Sequence, residues 1–71
     1  MENIHKELNS SVLQNGSYFP DHKILKITFN NDTEYDFEKV EEDVANAFFD
    51  AESHGKYFNE NIRGKYNFSK N

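Results

Sequence analysis

Residues 24–51 read I-L-K-I-T-F-N-N-D-T-E-Y-D-F-E-K-V-E-E-D-V-A-N-A-F-F-D-A. Within this stretch the hydrophobic period changes from about 2 to about 3.6 residues, the switch from strand to helix. Leu25, Ile27 and Phe29 alternate with Lys26 and Thr28, as in a strand with one face in a core. Asn30-Asn31-Asp32 supplies side chains that tolerate φ > 0 and predicts a tight hairpin turn. Thr33–Phe37 alternates again, with Tyr35 and Phe37 on the core side. From there the apolar positions are Val40, Val44, Ala47, Phe48 and Ala51, one stripe of a helix predicted over 41–53. Glu41, Glu42 and Asp43 fall in its first turn, where the dipole favours negative charge. They also disfavour an anion at that helix end. His54 lies near the other end, and Gly55 suits the position just past it.

Outward from this stretch, the signals weaken. Val12–Phe19 predicts a first strand, interrupted by Gly16. Pro20-Asp21-His22-Lys23 is turn chemistry. Residues 1–9 have no clear period and are expected to form a flexible arm. Downstream, Lys56–Arg63 is short and polar, enough for one helical turn closed by Gly64. Lys65–Phe68 alternates briefly and is expected to add a fourth strand or an edge. The fold expected is α+β: a three- to four-stranded antiparallel meander with one main helix packed on one face, in a single domain over 10–71.

Composition narrows the functional classes. The chain has 71 residues and no cysteine, so neither a disulfide nor a thiolate metal site can staple it. Seven Phe and four Tyr make up most of the core material, and aromatics bury much area per residue. A core this small suggests added stability from a symmetric partner, and a homo-oligomer is expected. No apolar run approaches the roughly 20 residues of a membrane span. The polar start M-E-N-I-H-K-E-L is unlike a signal peptide. A cytoplasmic protein without membrane contact is the expectation.

Charge is unevenly spread. The formal net charge is −5, yet residues 56–71 carry Lys56, Arg63, Lys65 and Lys70 against Glu60 alone. Long-range attraction to a nucleic-acid backbone is therefore unfavourable, and any anion must be gripped locally.

Nothing in the chain assembles a catalytic group. His5, His22 and His54 share no metal-ligand spacing. Ser53 and His54 are chain neighbours, which seldom face each other as nucleophile and base. No phosphate loop or dinucleotide fingerprint is present. No catalytic residue, metal or cofactor is assigned, and the protein is expected not to be an enzyme. The segment S-H-G-K-Y-F-N-E-N-I-R-G-K-Y (residues 53–66) instead mixes cations, aromatics and amides. Tyr57 can stack on a base, Lys56 and Arg63 can reach phosphate, and Asn59 and Asn61 can read polar edges. Phe58 and Ile62, four apart, are expected in the core. Arg63 has a structural alternative, as a cap on helix carbonyls or an ion pair with Glu52.

Several elements together resemble the KTSC domain. They are Ser10-Ser11 before an apolar residue, Tyr35-Asp36-Phe37, then Ala51-x-Ser53-x-Gly55-x-Tyr57-Phe58-Asn59-x-x-Ile62-Arg63, with Tyr66 beyond. Domains of this family stand alone in bacterial and phage proteins and follow some lysyl-tRNA synthetases. Phe37 stands where the family usually has Tyr, and Glu41 where Pro often opens the helix. The resemblance spans roughly residues 10–68. It adds Ser53 to the candidate ligand-binding set, which becomes Ser53, Lys56, Tyr57, Asn59, Asn61 and Arg63. It also implies RNA binding, against which the acidic net charge argues. The expected function is binding of a phosphate-bearing ring: a free nucleotide, a nucleotide-derived signal or a short single-stranded RNA. A phage protein that sequesters a host nucleotide signal would fit. The rival is an acidic module that binds a basic surface of a host protein.

Overall fold

The computed structural model describes residues 3–8 and 10–70. The chain forms β1 (Ile4–Glu7), β2 (Leu13–Phe19), β3 (Ile24–Phe29), β4 (Glu34–Phe37), α1 (Glu42–Asp50), α2 (His54–Tyr57) and β5 (Phe68–Lys70). The strands make one antiparallel sheet in the order β1-β2-β3-β4-β5. The architecture is α+β, as expected.

The local signals of β3 and β4 hold. Leu25, Ile27 and Phe37 are buried. Asp32 takes φ 65 in the turn between the two strands, and its N–H donates to the Phe29 carbonyl at 2.9 Å.

The sheet has five strands where three or four were expected. Residues 1–9 were expected to be an arm, but Ile4–Glu7 pairs with Tyr18–Asn15. Ile4 is the only apolar residue of β1, so backbone pairing on the edge of β2 makes a strand that periodicity does not announce. Residues 1, 2 and 9 lie outside the described residues. β2 carries a bulge: Leu13 pairs with Phe29 and Asn15 with Thr28. Gln14 is the extra residue. Strict alternation would put Leu13 on the face opposite Gly16 and Tyr18. The bulge brings all three into the core.

The helical layer also departs from expectation. α1 ends at Asp50 rather than 53, and its buried residues are Ala45, Phe48 and Phe49. Ala47, expected inside, is exposed, and Val44 and Ala51 are half-buried. The expected stripe was phased from Val40. Lys39, however, has φ 58 and Glu41 is extended, so Val40 enters the core before the helix begins and out of phase with it. Ser53 then starts a second helix: its hydroxyl accepts from the Lys56 N–H at 3.3 Å, the usual device at a helix start. α2 runs on into a wide, π-type turn at Phe58–Ile62, closed by the Arg63 N–H on the Phe58 carbonyl at 2.8 Å. Gly55 therefore sits inside a helix and does not end one. Gly64 (φ 76) ends it, as expected.

Both helical segments cover one face of the sheet. A Cβ built on Gly16 would lie 3.2 Å from the Phe49 ring and 3.5 Å from that of Phe48. Glycine in β2 is thus what lets α1 settle against the strands. Tyr18 beneath it is buried, and its hydroxyl donates to the Val40 carbonyl at 2.6 Å.

Candidate functional site

The second helical segment decides what the 53–66 stretch presents. Phe58 and Ile62 are buried, as expected, and form its underside. Phe58 meets Phe29 and Phe37 edge-on, with ring centroids 5.6 and 5.5 Å apart. Such edge-to-face pairs add to the area they bury. His54 secures the upstream end: its Nε2–H donates to the Phe49 carbonyl at 3.1 Å, satisfying a carbonyl near the end of α1.

Two adjoining clefts open along the exposed side of this helix. The first, about 470 Å³, lies between the helix and the β3–β4–β5 end of the sheet. Its aromatic walls come from Phe29, Tyr35, Phe37, Phe58 and Phe68. Phe68 and Val12, both in this cleft, are the exposed large hydrophobics among the described residues, at 56% and 54%. Asn59 and Arg63 form the polar rim on the helix side, and Asn31 that on the strand side. Arg63 is exposed, and its guanidinium has no ion pair or hydrogen bond among the described residues. The pairing of Arg63 with Glu52 or with helix carbonyls, open on sequence grounds, is not formed among them.

The second cleft shares Val12, Gly55 and Asn59 with the first and continues past Ser53, Lys56 and Glu60. Ser10 and Ser11 close its far wall. The contact between Ser10 and Gly55 is tight: a Cβ on Gly55 would stand 3.0 Å from the Ser10 Oγ. That oxygen already accepts from the N–H groups of Val12 and Leu13, at 3.1 and 3.2 Å. Gly55 thus allows the helix to lie against the loop that leads into β2.

The six residues singled out by sequence therefore divide. Lys56, Asn59 and Arg63 lie three and four apart, one face of a helix, and Ser53 joins them at the clefts. Tyr57 and Asn61 line neither cleft. The Tyr57 ring packs 6.1 Å from that of Phe48, and the Asn61 amide donates to the Tyr57 carbonyl at 3.4 Å. The convergence of Tyr57 with Lys56 and Arg63 expected from sequence is not formed. The strand rings that share a cleft with Arg63 are instead those of Phe29, Tyr35, Phe37 and Phe68. Among the described residues, no cluster of three or more His, Asp or Glu is placed to hold a metal ion. No helix among them is long and apolar enough to cross a membrane.

An open antiparallel meander crossed on one face by a broken helix, with small cationic and amide groups along the outer edge of that helix, is a small α+β domain with a surface cleft. The family model of the KTSC domain matches residues 9–66, and the chain belongs to that family. It is similar to an uncharacterised protein of Stutzerimonas stutzeri (strain A1501), 36% identical over 53 residues, which are 75% of each chain. The crystal structure of a KTSC domain protein from Yersinia pestis superimposes with a TM-score of 0.91 at 28% identity, covering 99% of both chains.

Proposed function

We propose that this KTSC domain is a non-enzymatic binding protein for a ligand with a ring and a phosphate, of the nucleotide class. The observation that carries the reading is the combination of Arg63 and Phe68 in one cleft. Arg63 is an exposed cation with a planar fork suited to phosphate. Phe68 is an exposed ring beside Tyr35, 5.4 Å away and edge-on. Aromatic faces of this kind stack on bases, whatever the base. The acidic remainder of the chain favours a small ligand or a short strand over a long polyanion.

A second reading rests on the exposed acids of α1. Glu42, Asp43 and Asp50 are all exposed, and such a face suits a basic protein surface.

Calorimetric titration separates the two. Wild type is titrated with a panel of nucleotides and a short single-stranded RNA, beside Arg63→Ala and Arg63→Lys. Arg63→Ala is expected to weaken binding about 10- to 100-fold, the loss of a charged hydrogen bond. Lysine restores part of the loss, and the melting temperatures stay together. If wild type binds nothing in the panel, the nucleotide reading falls and the acidic face of α1 takes its place.

A further inference from the structure

The cleft beside the aromatic one differs from it in chemistry. It measures about 600 Å³ and holds no aromatic side chain, so a second base has nothing to stack on there. It holds hydroxyls, one ammonium and one carboxylate: Ser10, Ser11, Ser53, Lys56 and Glu60. The oxygens of Ser10 and Ser53 already accept backbone N–H groups, which leaves their hydrogens as donors. Glu60 supplies acceptors and negative charge. A terminal phosphate placed there would meet the Glu60 carboxylate, whereas sugar hydroxyls can donate to it and accept from Ser and Lys56. Lys56 lines this cleft and Arg63 the aromatic one, with Asn59 lining both. A simple nucleotide held at Arg63 does not need that second cleft.

We infer that the ligand is a nucleotide whose phosphate is esterified to a second sugar, with the ring in the aromatic cleft and the second sugar in the hydroxyl-lined one. The inference rests on the nucleotide reading above and narrows it. Two sources share this chemistry: a nucleoside diphosphate sugar, and the next ribose of an RNA strand. Both meet the same groups, since neither requires a second base to stack.

The test is calorimetric titration of the full chain with AMP, ADP, ADP-ribose and the dinucleotide ApA, and with the uridine counterparts UMP, UDP, UDP-glucose and UpU. ADP-ribose or ApA, or its uridine counterpart, is expected to bind at least about tenfold more tightly than the corresponding mono- and diphosphate, the effect of one added charged hydrogen bond. Glu60→Ala, an exposed position, is expected to abolish that advantage, so that ADP-ribose and ApA bind the variant no more tightly than AMP binds it. Preference for the sugar diphosphate identifies a free small molecule, and preference for the dinucleotide identifies a strand end. Equal affinity for all four members of a series, or an advantage untouched by Glu60→Ala, overturns the two-sugar inference and leaves the nucleotide reading standing. Absence of binding throughout overturns both.

Discussion

At the scale of single residues, Tyr18 joins the two layers. Its ring lies in the sheet core and its hydroxyl donates to the Val40 carbonyl, where the chain enters α1. Burial raises its pKa above the ordinary value, and the nearby charges of Glu41 and Glu42 raise it further. The neutral phenol is therefore the form that the fold favours. Its contribution is fully present below about pH 10, where an unfolded tyrosine ionises. It is lost as pH rises from there through the folded-state pKa, because the unfolded chain then gives up a proton the folded one keeps. Tyr18→Phe removes the donor and leaves a buried carbonyl unpaired, at a cost of about 1–3 kcal/mol. Urea unfolding of both proteins between pH 8 and 11 is expected to show wild type losing its advantage over Tyr18→Phe as pH passes 10. A constant difference across that range would mean that the hydroxyl does not titrate with folding. Gly16 and Gly55 act at the same scale by leaving room, one for the rings of α1 and the other for the Ser10 hydroxyl.

At the scale of elements, β2 holds one residue more than its ladder needs. Deleting Gln14 removes the bulge and leaves Leu13 opposite Phe29 and inward. The expected loss is about 1 kcal/mol, from the bond between the Leu8 N–H and the Gln14 carbonyl. Deleting Ser17 instead turns Asn15 toward Phe48 and Phe49, where an unpaired amide is costly. That variant is expected to be unfolded at room temperature, given the margins of small domains. Circular dichroism melts of the two deletions check the contrast; similar melts would sink the role assigned to the bulge. The bulge also marks where sequence reading stops. β3, β4 and the turn between them are legible because a period of two and a φ-tolerant Asp32 are local properties. β1 has one apolar residue and does not announce itself. The helix α1 does, but its buried face is phased by the backbone of Lys39 and Glu41, which the apolar period does not show. Lys56, Asn59 and Arg63 could be read as one face from their spacing. The aromatic wall beside them could not, because Phe29, Tyr35 and Phe68 converge only once three strands have paired.

At the scale of the whole molecule, the sheet is a meander with its helices inserted before the last strand. β1 to β4 each pair with their neighbour in the chain, across short connections. β5 differs, because Phe37 and Phe68 are partners on either side of the entire helical segment. Read as a spatial order, this is a sheet with one late addition in sequence. Read in time, it separates fast events from a slow one. Local pairings close at little entropic cost and set a high folding rate, whereas the distant one must wait for the loop to be ordered. The nucleus is then expected in the β2–β3–β4 hairpins, with β5 docking after the barrier. Phe68→Ala, which removes the ring packed on Tyr35 and Phe37, should accelerate unfolding and scarcely alter the refolding rate. Ile27→Val in the central strand should slow refolding. Stopped-flow chevrons of the two variants decide the matter, and a slowed refolding limb in Phe68→Ala would reverse the order. On the expected order, the Phe68 ring of the candidate cleft belongs to the last strand to arrive, and the cleft is completed only in the final step of folding.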